Sequence, residues 1–280
     1  MDLPIGVPVI NCLPYTRQLW DSILKQIDRD GNLIPTPKLV VLDQGSSDGT
    51  PEWAEAQQAK YPGTFQYVKV DEQVSVAMAW NMLLNYCFFE WNCDYGFIVN
   101  NDIIFHPLCI SEMANFLEQN NWVEFCFPIE ASGMSPGGKS GLAEVPLPVP
   151  WHQCGTTYSA YVMKKTCAEK VGSFDPDYEL AYFEDNDYEI RKHIHGIPEV
   201  KCDMACYFHD GGSQYIKSIE HTPERQKYHD AYAKNRRRLL DKWGHNILRM
   251  HWGAEAWKSL GFPDLERKSI NNKDVYSENL

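Results

Sequence analysis

Three carboxylates crowd one short stretch of this chain: Glu184, Asp185 and Asp187, within the segment Y-F-E-D-N-D-Y that runs from Tyr182 to Tyr188. The segment V-G-S-F-D-P, Val171 to Pro176, leads into it. Acidic side chains in the first turn of a helix interact favourably with its dipole, by some tenths to about 1 kcal/mol each. Three within four residues exceed what capping needs, because their mutual repulsion offsets part of that gain. One of them can serve as a general base for an attacking hydroxyl. A second turn, Asn100-Asn101-Asp102, follows an apolar run. An oxygen ligand at such a strand end can hold Mg²⁺ or Mn²⁺, which in turn bridges a diphosphate. A third, D-Q-G-S-S-D-G-T from Asp43 to Thr50, joins turn-forming glycines to a strand-end carboxylate able to accept hydrogen bonds from a ribose or a base. A fourth begins at His209, H-D-G-G-S, where the imidazole could complete a metal shell or meet a phosphate.

Each turn also has a plain structural reading. Asp43 to Thr50 makes a good turn and helix cap, Asn100 to Asp102 a good polar turn, and a lone strand-end histidine is more often a surface or satisfied residue. The chemical reading rests on all four occurring together.

Strands and helices must position these turns, and the chain alternates between them. The patterns predict strands at Val7 to Cys12, Lys38 to Asp43, Phe65 to Val70, Tyr95 to Val99, Val123 to Pro128, Tyr158 to Met163 and Ala205 to His209. Ile103 to Phe105 is a brief apolar continuation after the second turn. Pro8 sits badly in the first strand, since it has no N–H for a sheet ladder. Leu19, Ile23, Leu24 and Ile27 recur at helical spacing. Thr50-Pro51 opens a helix to about Lys60. Ser75 caps one through Cys87, and Pro107 starts one that reaches about Gln119. Thr166 to Val171 is a short helix, and Asp185 to His195 is a longer one with Ile190 and Ile194 inward. Pro223 to about Trp243 is long and polar. Glu130 to Pro150 is rich in Gly, Pro and Ser without a period, and the tail after Phe262 looks weakly ordered. The alternation implies an α/β fold, a mostly parallel sheet with helices on both faces, whose ligands bind beyond the carboxyl ends of the strands.

Composition narrows the chemistry. The net charge of −12 opposes a nucleic-acid groove, which needs a basic face, and opposes adhesion to anionic lipid. A bound divalent ion can still reverse the sign locally. No apolar run is long enough to span a bilayer, and the first residues lack a basic start and a cleavage signal, so a cytoplasmic protein is expected. Nine irregularly placed cysteines, several inside apolar runs, read as buried free thiols. Basic residues gather at Lys234, Arg236, Arg237, Arg238 and Lys242, chiefly as a solvated helix face. No G-x-S-x-G elbow, P-loop or G-x-G-x-x-G is present.

In order and spacing, the turns resemble those of the GT-A fold glycosyltransferases of family 2, especially the rhamnosyltransferase-like branch. Asp43 to Thr50 is similar to that family's D-x-G-S-x-D-G-T segment. V-S-V-A-M-A-W-N, Val74 to Asn81, resembles its stretch ending A-x-N. Asn100 to Pro107 resembles the metal-binding D-x-D turn and the hydrophobic-H-P that follows, with one carboxylate in place of two. Val171 to Tyr188 resembles the G-x-F-D…E-D-x-D segment, and His209 falls where the family often has a late histidine ligand. The resemblance covers roughly Ile5 to Ser213.

The resemblance implies a GT-A domain over residues 1–213, a Rossmann-like sheet flanked by helices, with a C-terminal helical extension over 214–280 packed on it. It implies a metal-dependent, inverting, hexosyltransferase-type enzyme that moves a sugar from a UDP-, GDP- or dTDP-linked donor to a carbohydrate hydroxyl. Asn11, Asp43, Ser46, Asp48, Asn81, Asn100 and Asn101 would bind the donor. Asp102 and His209 would hold Mn²⁺ or Mg²⁺. Asp185 would be the base, with Glu184 and Asp187 positioning it or the acceptor, and the acceptor would lie near Glu130 to Trp151. Two other functions remain open: a catalytically silent nucleotide-sugar or glycan-binding protein, and a sugar nucleotidyltransferase. The latter lacks its expected glycine- and arginine-rich leader.

Overall fold

The computed structural model describes residues 1–130, 158–198, 200–209 and 214–244. The chain order is β1 (Ile5–Val9), α1 (Leu13–Ile23), β2 (Leu39–Gln44), α2 (Thr50–Lys60), β3 (Phe65–Val70), α3 (Val76–Asn85), β4 (Tyr95–Val99), β5 (Ile103–Phe105), α4 (Cys109–Gln119) and β6 (Phe125–Glu130). It continues with β7 (Ala160–Lys164), α5 (Lys165–Val171), α6 (Glu184–Ile194), β8 (Val200–His209), α7 (Gln214–Ser218) and α8 (Pro223–Trp243). One turn of π-helix, Tyr86–Glu90, prolongs α3. The expected Gly- and Pro-rich loop beyond Glu130 and the tail after Phe262 lie outside the described residues.

The strands form one eight-stranded sheet in the order β3-β2-β1-β4-β7-β6-β8-β5. Alternate side chains along each strand face opposite layers. Ile5, Val7 and Val9 of β1, with Leu39 and Val41 of β2, join α1, α2 and α4 in one core; Val40, Leu42 and Ile98 join α3, α5 and α6 in the other. Helix α3 sits close on β1 and β4 because glycines face it. A Cβ on Gly6 would fall 2.8 Å from Ile98 Cδ1 and 3.0 Å from Leu83 Cβ, and one on Gly96 would fall 3.1 Å from Leu84 Cδ2.

Pro8 belongs to β1 after all. Ile5 N–H donates to the Lys38 carbonyl at 2.8 Å, so odd-numbered N–H groups of β1 face β2 and even-numbered ones face β4. Pairing of β1 with β4 stops at Gly6↔Ile98, whereas pairing with β2 runs on through Pro8↔Leu42. The missing donor of Pro8 therefore faces a gap where no ladder bond is needed.

The sheet is less uniform than the α/β alternation implied. The β3-β2-β1-β4 half is parallel, but β7 runs antiparallel to both β4 and β6, and β5 runs antiparallel to β8. The first strand starts at Ile5 and the last one at Val200. Residues Ile103–Phe105 form a strand of their own because β8 pairs with them. Ile194 is 41% exposed, unlike Ile190, which is fully buried. It lies at the last turn of α6, past the end of the packed face. Helix α7, five residues long, carries no period that a sequence could show.

Helices α7 and α8 pack on the rest through two small clusters. Leu239 and Leu240 meet Tyr178, Phe183 and Ile190, while Tyr215 and Tyr228 meet Ile10, Cys12 and Leu180. Among the described residues no helix is long and apolar enough to cross a membrane.

Candidate active site

Beyond the carboxyl ends of β1, β2 and β4 the sheet opens into a cleft of about 530 Å³. Pro8, Gln44 and the turn Asn100-Asn101-Asp102 lie on the sheet side, with Glu184 and Asp185 at the start of α6. The two clusters that carry the proposed chemistry therefore line one cavity. Tyr215, Tyr228 and Tyr232 from the C-terminal helices supply an aromatic wall. Among the described residues, no lysine or arginine lines the cleft.

Strand register places Asp102. It immediately precedes β5, whose Ile103 pairs with His209 of β8. The Asp102 Oδ1 consequently lies 3.3 Å from His209 Nε2. That nitrogen is buried and has no well-aligned hydrogen-bond partner among the described residues. On the ring's other side, Nδ1 is 3.5 Å from Glu130 Oε1 and 3.5 Å from Ser159 Oγ. Burial alone would lower the pKa of His209, but the carboxylates of Asp102 and Glu130 outweigh it and raise the value to about 9. An oxygen and an imidazole nitrogen each ~2.1 Å from one divalent ion, at right angles, stand roughly 3 Å apart. The observed separation fits such an ion, which would take the place of the proton that His209 now shares with the carboxylates. Among the described residues, no group of three or more His, Cys, Asp or Glu side chains is gathered around one point.

The acidic end of α6 is strained into place. Leu180, Tyr182 and Phe183 have φ of 52°, 83° and 72°. Left-handed backbone costs a bulky residue ~1–3 kcal/mol. This run delivers Glu184 and Asp185 to the cleft. Glu184 is 5% exposed, and its Oε2 has no hydrogen-bond partner among the described residues. Burial, followed by the charge of Asp185, pushes its pKa well above the ordinary range. The pKa of Asp185 is also raised, chiefly by burial and then by the charge of Glu189, although the Asn186 N–H at 2.8 Å pulls against this. A carboxylate with a raised pKa is a better proton acceptor at neutral pH. Trp80 Nε1 is another buried cleft-lining group without a partner among the described residues.

Asp187, expected to position Asp185 or the acceptor, does not line the cleft. It is fully buried and receives Arg191 Nε, Lys242 Nζ and Trp243 Nε1, each at 2.8 Å. These bonds tie α6 to α8. Asn81 also lies outside the cleft: its side chain brackets the backbone of Phe174, donating to the carbonyl at 2.8 Å and accepting from the N–H at 2.9 Å.

The segment from Asp43 to Thr50 is similarly occupied with its own backbone. Asp43 is fully buried, with Oδ1 accepting from Ser46 N–H and Oδ2 from the Tyr67 hydroxyl. Asp48 accepts from Leu13 N–H at 2.8 Å and from the Thr50 hydroxyl at 2.6 Å. Ser46 Oγ accepts from Asn11 N–H, and Asn11 Oδ1 accepts from Ser47 N–H. None of Asn11, Asp43, Ser46 and Asp48 lines the cleft. Their visible work is to fix the loops after β1 and β2. Gln44, Gln73 and Trp80 line it instead. Gln44 and Trp80 stand inside segments singled out above, each next to a residue read as donor-binding, Asp43 and Asn81; Gln73 stands in a segment that gives no signal.

The family model for glycosyl transferase family 2 matches residues 5–158, more than half of the chain, and the chain belongs to that family. Among solved structures, S. aureus TarS superposes with a TM-score of 0.54 at 14% identity, over 78% of this chain and 38% of that one. Mannosyltransferase PcManGT from Pyrobaculum calidifontis, in complex with GDP-Man and Mn²⁺, gives 0.53 at 17% identity, over 92% of this chain and 67% of that one. GalNAc-T7 with UDP, GalNAc and Mn²⁺ gives 0.62 at 8% identity, over 95% of this chain and 55% of that one. The fold is thus that of the GT-A glycosyltransferases, and the chain spans well under half of the TarS structure. A sequence comparison with curated proteins finds no match.

Proposed function

We propose that this protein is a metal-dependent, inverting glycosyltransferase acting on a nucleotide sugar. The observation that carries the reading is the shared cleft, lined by Asp102 with His209 behind it and by Glu184 and Asp185. The nucleoside would lie toward Pro8, Gln44 and Gln73, where Asn11, Asp43, Ser46 and Asp48 shape the loops. Asn100 and Asn101 would face the diphosphate. Asp102 and His209 would hold Mn²⁺ or Mg²⁺, and an ion there neutralises charge that develops on the departing nucleoside diphosphate. A bound cation would supply positive charge for a dianionic leaving group.

Asp185 would accept the proton of the acceptor hydroxyl. The hydroxyl oxygen forms its bond to the anomeric carbon from the face opposite the diphosphate, the carbon–oxygen bond to phosphate breaks, and its electron pair leaves with the nucleoside diphosphate. Attack from that face inverts the anomeric carbon. Buried Glu184 Oε2 and Trp80 Nε1 are an acceptor and a donor available to sugar hydroxyls. Relatives in fold are recorded with UDP and with GDP-Man, so UDP, GDP and dTDP donors all belong in the test. A carbohydrate acceptor suits the tyrosine wall. Division into a GT-A domain (1–213) and a C-terminal extension (214–280) is part of the same proposal, as is a cytoplasmic location; buried cysteines such as Cys87, Cys109 and Cys126 are free thiols, as a reducing compartment allows.

A thermal-shift comparison of UDP, GDP and dTDP, each with and without Mn²⁺, tests the donor half. A ligand bound by the native state alone raises the melting temperature. One nucleotide should do so with Mn²⁺ present, and the shift should vanish in Asp102→Ala. No shift with any nucleotide would leave the cleft without its proposed donor.

A further inference from the structure

We propose that Asn235, on α8, is a positioning residue for the transfer site, acting by clamping the left-handed run that presents Glu184 and Asp185. This inference rests on the glycosyltransferase reading of the cleft. Asn235 is 1% exposed, in the middle of a helix that lies outside the residues matched by the family model. Its Nδ2 donates to the carbonyls of Glu179, Ala181 and Tyr182 at 2.8, 3.0 and 3.1 Å. Its Oδ1 accepts from Glu179 N–H at 2.9 Å. An amide nitrogen has two protons, so one is shared between two carbonyls, and the side chain is saturated.

What it holds is unusual. Leu180, Tyr182 and Phe183, three bulky residues in left-handed backbone, fall within the clamped run or directly after it, and the acidic pair follows at once. Such backbone persists where its surroundings over-determine it. Carbonyls that point inward from a left-handed loop also need donors, since a buried unpaired carbonyl is costly. Asn235 supplies the donor for three of these carbonyls, and Val76 N–H of α3 takes the Leu180 carbonyl between them at 2.7 Å. Leu180, Ala181, Tyr182 and Phe183 line the cleft themselves, so any relaxation of the run moves the base against the acceptor. Lys234, the neighbouring residue, also reaches this segment, pairing with Glu179 at 2.9 Å, but both partners are well exposed. It serves as an internal control.

The test compares Asn235→Ala, Asn235→Asp and Lys234→Ala with the wild type in steady-state transfer and in amide hydrogen exchange read by mass spectrometry. Asn235→Asp keeps the shape and the acceptor but loses the donors, so it stands in if the alanine variant does not fold. Both Asn235 variants should lower kcat roughly 10- to 100-fold, the scale set by a misplaced catalytic group. The donor KM should move by less than about twofold, because the nucleotide contacts are elsewhere. Exchange should rise in 179–187 and stay unchanged in β1, β2 and β4. Lys234→Ala should match the wild type in both readouts. An unchanged kcat, or exchange that rises equally across the sheet, would overturn the proposal by reducing Asn235 to a general stability residue. A wild type that transfers no sugar would instead defeat the glycosyltransferase reading, while the exchange data would still decide whether the clamp exists.

Discussion

Single residues carry the sharpest consequences. Asp185→Asn keeps the shape of the base and removes its ability to take a proton. Transfer should fall by about 10² to 10⁴, the usual contribution of a general base, with donor affinity by calorimetry unchanged. Normal transfer by that variant would move the role to another carboxylate. Glu184 presents a different trade. Its folded-state pKa lies above the unfolded value, so below the unfolded value both states are protonated and its ionisation costs no stability. As pH rises from the unfolded toward the folded value, the unfolded chain ionises while the native state holds its proton, and stability is lost. Glu184→Gln should therefore be more stable than the wild type at about pH 8, with the advantage shrinking toward about pH 4.5, as urea denaturation at the two values would show. A pH-independent difference would contradict the burial argument. Sequence made Glu184, Asp185 and Asp102 readable because too many carboxylates stood where capping needs few. It gave no direction for a side chain, which is why Asn81, Asp43, Asp48 and Asp187 looked equally chemical. Each is turned to the backbone or to another helix.

At the scale of elements, the most informative join is between α6 and α8. Asp187 is the buried node, reached by Arg191 from its own helix and by Lys242 and Trp243 from α8. Removing it takes one partner from each of these groups, although Lys242 keeps Asp175 and Arg191 keeps the Val171 carbonyl, so the loss is on the order of 1–3 kcal/mol. Asp187→Ala should lower the urea midpoint accordingly, with any loss of activity explained by the folded fraction. A variant as stable as the wild type would show that the join is unimportant. Several elements were legible because their ends carry strong chemistry. Thr50-Pro51 opens α2, Ser75 caps α3 by accepting from Met78 N–H, and α2, β3 and β4 begin and end where their patterns do. Others depend on partners far away in sequence. The three residues of β5 become a strand only through β8, and Pro8 is tolerated only because β4 has already diverged from β1. No local pattern contains either fact.

The whole molecule divides its labour along the sheet. The parallel half, β3-β2-β1-β4, ends in the loops on the side of the cleft proposed for the nucleoside, a layout the α/β alternation made readable. The mixed half, β7-β6-β8-β5, brings His209 beside Asp102 and Glu130; the family resemblance paired His209 with Asp102, but no local pattern gave Glu130. α8 then closes the far side with Tyr228 and Tyr232 and, through Asn235, bonds the run that precedes the acidic pair. The net charge of −12 leaves a bound cation as the proposed source of positive charge at this scale. The most direct test is the rate at which purified protein releases nucleoside diphosphate from UDP-, GDP- and dTDP-linked sugars in the presence of a glycan acceptor panel, with Mn²⁺ or with EDTA. Release from one donor class, abolished by EDTA and by Asp185→Asn, is the predicted result. Release that ignores both the chelator and the substitution, or no release from any donor by a folded wild type, would contradict the account.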